Sequence, residues 1–358
     1  MPRTMVVSTM VASATRPLPE HMPTEITLAH GSGGRAMQQL IEQLFMQAFD
    51  NPLLGQREDQ ARLPLAALTQ HGDRLAFTTD SYVIDPIFFP GGDIGKLAVC
   101  GTANDIAVSG AQPRYLSCGF IIEEGFPGAD LLRIVESMAR TARDADIEIV
   151  TGDTKVVPRG AADKIFINTS GMGVIPTTLH WGTSEIRPGD KIIVSGTLGD
   201  HGATILNLRE QLGLEAELSS DCAVLAPLIA PLREIAGVRA LRDATRGGVT
   251  AILHEYAQAS GYGMEVNESA LPLKQAVRGI CEILGLEALN FANEGKLVLV
   301  VSAQAEPAVL AVLRAHPLGR GAATIGVVTA TPQIRLCGVF GASRLLDLPH
   351  NEPMPRIC

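Results

Sequence analysis

One stretch limits the fold more than any other: "GKLAVCGTANDIAVSGA", Gly95 to Ala111, a segment of helical character built mostly from small residues. A helix with so few bulky side chains buries little surface unless a neighbouring backbone comes close to its own. It therefore has to pack tightly against other elements, inside a layered domain.

The segments around it supply those layers. "RLAFTTDS" reads as a strand ending at Asp80, "YLSCGFII" as a second, "IEIVTGDTK" as a third running into a polar loop, and "KIFINTSGMGVI" as a longer fourth. A helix is expected from Gly128 to Asp146, and another where Met37, Leu40, Ile41, Leu44, Phe45, Ala48 and Phe49 recur at helical spacing after "ITLAH" and "GSGG". "PTTLHWGTSEIRPGD" is a turn-rich joint. Beyond it strands at "KIIVSG", "GMEVN", "KLVLVV", "ATIGVV" and "IRLCGV" alternate with helices, one of them expected from about Cys222 to Ile235. Interleaved helices and strands in both halves predict an α/β to α+β fold in two layers. With 358 residues there is enough chain for two cores. The expected domains are 26–175 and 176–344, flanked by a disordered or mis-assigned leader, 1–25, and a mobile proline-rich tail, 345–358. Fully extended, that tail would span about 46 Å.

A balance of 29 basic against 38 acidic residues, with no basic block, argues against a nucleic-acid surface and for small molecules and protein partners. No apolar run nears the roughly 18 residues of a spanning helix, so an integral membrane protein is not expected and the cytoplasm is. The leader weakly imitates a signal peptide, but its apolar part is thin and reads as a disordered extension; Met22 offers an alternative start. Cys100, Cys118, Cys222, Cys281, Cys337 and Cys358 show neither metal-site spacing nor a disulfide framework. Most read as buried small hydrophobes, but Cys358, the last residue of the sequence, reads as an accessible nucleophile.

Several loops carry chemistry. Gly31, Ser32, Gly33 and Gly34 form a glycine loop between an expected strand and helix, where free N–H groups favour an anion. Gly31, Gly33 and Ala36 formally fit a dinucleotide fingerprint, but the acidic ribose partner is missing; "GGDIGKL" fails as a P-loop in spacing and in its missing hydroxyl. Asp80 in "TTDS", Asn104 and Asp105 in "TANDIA", and Asp243 in "LRDATRGG" sit where carboxylates hold Mg²⁺ between protein and nucleotide phosphates, although each alone is more often a cap or turn residue. "TGDTK" supplies Asp153 and Lys155, and "FANEGK" supplies Glu294 and Lys296, for which a solvated surface is the plain alternative.

Together, "AHGSGG", "TTDSYVIDPIFFPGG", "GTANDIAVSGA", "TGDTKVV", "GTLGDHG", "RDATRGGV", "FANEGK" and the final "PRIC" resemble the HypE family of hydrogenase maturation proteins, within the superfamily of aminoimidazole ribonucleotide synthetase. The resemblance runs from about Ile26 to Cys358, and the last four residues select the family. It implies a two-domain fold whose N-terminal domain binds ATP and forms a β-barrel across a homodimer. It implies Asp80, Asp105 and Asp243 as Mg²⁺ ligands, the Gly31 to Gly34 loop, Asn104 and Asp153 as ATP contacts, and Cys358, Glu294 and Lys155 as catalytic residues. The activity implied is ATP-dependent dehydration of a carbamoyl group on Cys358 to a thiocyanate, the source of cyanide for an iron centre. A HypF-type carbamoyltransferase would load the thiol, and a HypC-HypD scaffold would receive the cyanide. The alternatives are a superfamily enzyme acting on a diffusible substrate, or a non-catalytic thiol carrier.

Overall fold

The computed structural model describes residues 22–214, 218–349 and 354–358; most of the expected leader lies outside them. The N-terminal half is built on four long strands, β1 (Arg74–Tyr82), β2 (Gln112–Glu123), β3 (Glu148–Val157) and β4 (Ile165–Ile175), in the order β1-β4-β2-β3. Only the β2/β3 pair is parallel, and helix α2 (Gly128–Asp144) makes its crossover. The small-residue segment forms α1 (Ile94–Ala107), capped by Asp93, whose carboxylate accepts from the N–H groups of Gly95 and Lys96 at 2.8 and 3.0 Å.

The close packing its composition demanded is present. A Cβ at Gly95 would lie 2.5 Å from the Ile134 carbonyl of α2, and one at Gly101 would strike the Tyr82 hydroxyl. Both helices cover one face of the sheet. On the other face β1 alternates outward, leaving Leu75 53% and Phe77 70% exposed, with Ile121 of β2 at 45%.

The C-terminal half holds a seven-stranded sheet made of β5 (Lys191–Val194), β6 (Val238–Asp243), β7 (Gly263–Asn267), β8 (Leu297–Val301), β9 (Ala323–Thr329), β10 (Ile334–Cys337) and β11 (Ser343–Leu345), ordered β11-β10-β7-β9-β5-β8-β6. Helices α3 (Asp200–Glu210), α4 (Gly248–Ser260), α5 (Gln275–Leu284) and α6 (Glu306–Ala315) complete it. Separate apolar clusters cover its two faces, so this half is thicker than the two layers expected. Every residue of β8 is buried, which is why "KLVLVV" shows no alternation.

Two local expectations fail for identifiable reasons, and the end of the tail has a definite seat. "ITLAH" is not a strand: Leu28–Gly31 is a 3₁₀ turn, and the helix after the glycine loop, Arg35–Leu40, loosens into a π-turn at Ile41–Phe45. The helix expected from Cys222 shrinks to Ala226–Ile229 and a 3₁₀ turn at Ala230–Glu234, because Pro227 and Pro231 remove backbone donors. The tail's last residues are seated: Met354 and Ile357 are 1% and 2% exposed and join the apolar cluster of the N-terminal domain.

The Gly95→Ala variant tests the helix packing. Alanine gains up to about 1 kcal/mol of helix propensity, but the clash with the Ile134 carbonyl should leave the chain about 1–3 kcal/mol less stable in urea unfolding. Equal or higher stability would show that α1 and α2 are not so close.

Candidate active site

Two groups of the expected residues form where the domains meet and on the sheet edge. In the first, Asp80 lies near the end of β1, Asp105 in the last turn of α1 and Asp243 at the end of β6. Thr78 donates to Asp105 at 2.8 Å, and the hydroxyl of buried Tyr82 donates to Asp80 at 3.4 Å. Burial, then the charge of Asp80, pushes Asp105 up to about 6; burial, then Asp105, pushes Asp243 up to about 8. Asp243 keeps a buried Oδ2 with no hydrogen-bond partner. Three carboxylates brought together from β1, α1 and β6 are hard oxygen donors, and Mg²⁺ fits that chemistry. Among the described residues, however, no group of three such side chains is arranged to hold a metal ion unaided.

Glu294 belongs to the same region, on the turn before β8. It is 2% exposed, its Oε1 lacks a partner, and burial followed by the charges of Asp221 and Asp243 lifts its carboxyl well above the ordinary range. Its backbone is fixed by Asp221, a residue with no sequence motif. The Asp221 carboxylate accepts from the N–H groups of Glu294 and Gly295 at 3.1 and 3.2 Å and pairs with Lys296 at 3.2 Å, both side chains buried. Burial pushes Asp221 up, but the Lys296 ammonium and the Glu294 N–H outweigh it and hold the carboxyl below its ordinary value.

Asn104 has a different part. Its amide donates to the Ala223 carbonyl at 3.0 Å and accepts from the Leu225 N–H at 2.7 Å, so both ends brace the loop between the domains.

The second group lies on β3. Gly31 packs so close to β3 that a Cβ would come within 2.7 Å of the Val156 nitrogen, which brings the Gly31–Gly34 loop beside Asp153 and Lys155. Ser32, Gly33 and Gly34 are exposed, and Ser32 donates back to the Ala29 carbonyl at 3.1 Å. Lys155 pairs with Asp153 at 2.7 Å on the solvent side, and that bond lowers the Asp153 pKa. No described contact brings Lys155 to Glu294. Between the π-turn helix and β3 lies an apolar cavity of about 130 Å³ lined by Met37, Ile41, Phe45 and Phe120, with Asp153 and Thr154 at its rim.

The end of the chain is held just past β1 by backbone contacts. The Cys358 carbonyl accepts from the Val83 N–H at 3.0 Å, one residue past Tyr82, and the Arg356 carbonyl accepts from Asp85 at 3.4 Å. Arg209 donates to the carbonyls of Pro355 and Arg356, while Arg356 pairs with Asp163 at 2.5 Å. Sequence reasoning passed over Arg209, Asp163 and Asp221, none of which lies in a recognisable motif.

Two family models match in series: "AIR synthase related protein, N-terminal domain" over residues 58–175, and the corresponding C-terminal domain over 187–337. The carbamoyl dehydratase HypE of Escherichia coli (strain K12) is 68% identical over 333 residues, covering 93% of this chain and 99% of that one. The chain belongs to the HypE family. A solved HypE in complex with ATP superposes with a TM-score of 0.88 at 48% identity, covering 93% of this chain and 99% of that one. A HypE-HypF complex gives 0.75 at 43%, covering 87% and 99%. The HypE fold thus accounts for both domains, and the carboxylate cleft lies where they meet.

Replacing Lys296 by Met should strand the Asp221 charge in the interior and cost about 3–5 kcal/mol in chemical denaturation. Because the Asp221 pKa is depressed by the pair, its contribution is present above the ordinary carboxylate pKa and is lost as pH falls through the lowered value. The gap between variant and parent should therefore narrow below about pH 4; a pH-independent gap would mean the charges are not what stabilises the turn.

Proposed function

We propose that this chain dehydrates a carbamoyl group carried on Cys358, converting the S-carbamoyl cysteine to a thiocyanate at the expense of ATP. The observation that carries this reading is the seating of Cys358 against Val83, at the edge of the carboxylate cleft, in a member of the HypE family. The overall change converts Cys–S–C(=O)–NH₂ and ATP to Cys–S–C≡N, ADP and phosphate, the carbamoyl oxygen leaving in the phosphate.

The apolar cavity beside β3 suits an adenine ring, with the Gly31–Gly34 loop and Asp153 toward the phosphates. Asp80, Asp105 and Asp243 would hold Mg²⁺, with phosphate oxygens completing its shell. When bound, ATP and Mg²⁺ supply a phosphoryl group that turns the carbamoyl oxygen into a leaving group. The chain's own residues do the rest. Glu294, whose raised pKa makes it a stronger base once ionised, takes a proton from the carbamoyl nitrogen. Lys155, held by Asp153, orients a phosphate oxygen from the sheet side. Carrying the substrate on a seated tail makes the reaction intramolecular, a positioning gain of up to ~7–11 kcal/mol in favourable cases.

A HypF-type protein is the partner that would load the thiol, and a HypC-HypD scaffold the one that would take the cyanide. The exposed apolar face of β1 and β2 supports a homodimer closed through that face. Among the described residues no two cysteines form a disulfide, which suits a reducing cytoplasm.

Intact mass after incubation with carbamoyl phosphate, a HypF-type partner and ATP-Mg²⁺ tests the reaction. The expected record is a carbamoyl adduct that then loses one water, absent in Cys358→Ala. Glu294→Gln should accumulate the adduct and lose water about 10²-fold or more slowly. An adduct that never dehydrates in the parent would favour a carrier; ATP use without an adduct would favour a diffusible substrate. For the dimer, Phe77→Asp should give monomer mass in light scattering, and an unchanged dimer would place the interface elsewhere.

A further inference from the structure

One buried side chain touches the seated tail without any part in the chemistry above. His201 is fully buried in the first turn of α3, its ring edge-on to Phe89 at 5.4 Å. Nε2 lies 2.8 Å from the Ile357 carbonyl, and Nδ1 lies 2.7 Å from Ser220 Oγ.

The ends of this chain of bonds fix its direction. The Ile357 carbonyl can only accept, so Nε2 carries the hydrogen. At the other end the Cys222 N–H donates to Ser220 Oγ at 3.1 Å, and the hydroxyl keeps its own hydrogen for a bond to Nδ1. Burial favours the neutral imidazole, and in that form Nε2 bears the hydrogen and Nδ1 accepts from the Ser220 hydroxyl.

Ser220 also begins the loop that sets Glu294. The next residue, Asp221, holds the Glu294 and Gly295 N–H groups, and the Ala223 N–H donates to the Glu294 carbonyl at 3.3 Å. Hydrogen bonds through His201, continued by the short backbone from Ser220 to Ala223, thus join the residue before Cys358 to the backbone of the buried carboxylate.

We propose that His201 is the positioning residue for the cysteine-bearing end, and that the His201–Ser220 chain ties docking of that end to the loop that places Glu294. The inference rests on the reading that the docked end carries the reacting group. His201 touches no reacting atom; it acts through Ile357 on one side and Ser220 on the other.

The test is the rate at which iodoacetamide alkylates Cys358 in the full-length chain without ATP, taken as the difference from Cys358→Ala. His201→Phe keeps a flat ring but loses both hydrogen bonds, and should raise the rate about tenfold, the loss of a hydrogen bond near the upper end of the usual range. His201→Gln retains a donor for the Ile357 carbonyl and should stay within about threefold of the parent, a rescue that a merely space-filling role would not give. Should His201→Phe fail to fold, Ser220→Ala removes only the orienting hydroxyl and should raise the rate about threefold at an unchanged melting temperature. Folded variants that alkylate at the parent rate would overturn the proposal. Alkylation needs neither carbamoyl group nor ATP. A parent chain that protects Cys358 through His201 yet never dehydrates an adduct would therefore reject the proposed reaction and leave the seat standing.

Discussion

Asp221 and Lys296 meet where water is nearly excluded, and the geometry of the cleft follows from their union. Removing two charges from water is costly, and their attraction compensates only when the remaining lone pairs are also used. Asp221 meets that condition by accepting from the turn that carries Glu294. The ion pair thereby fixes the loop from Ser220 to Ala223 against the start of β8, and Asn104 fixes the next residues against α1. The two domains share this one loop, so the cleft between them is set by bonds rather than by loose apposition.

The acidic side of the cleft follows the opposite logic. Among the described residues Asp105, Asp243 and Glu294 have no comparable cation, and burial with the charges of neighbouring acids raises all three toward neutrality. Such a cluster destabilises the protein that holds it unless a positive ligand arrives. That strain is concentrated at the domain boundary, where a nucleotide and its counter-ion would relieve it.

Much of this could be read from the residues. The glycines of α1 announced close packing because nothing else explains so many small side chains on one helix, and Gly95 and Gly101 prove to be contact points. The even burial of β8 was visible in an unbroken apolar run. The carboxylate loops were visible as loops, because a small flanking residue and an acid at the end of an element form a local pattern. What escaped was non-local. Asp221 acquires its importance from Lys296 and Glu294, more than seventy positions away, and Asp163 from Arg356, 193 positions away. The short helix after Cys222 was misjudged locally: its apolar spacing is helical, but Pro231 interrupts it.

Met354 and Ile357 are part of the N-terminal core, which makes the last residues of the chain a tethered ligand for their own protein. Burying two such side chains is worth about 1.5–3 kcal/mol each before the cost of ordering them. Any macromolecule that takes hold of Cys358 is therefore a competitor: it must match that burial, and it must do so against the high local concentration that the tether imposes. Exchange of the thiol between proteins would then be governed by how long the tail dwells at home, a residence time written into its neighbours' side chains and backbone rather than into the cysteine itself.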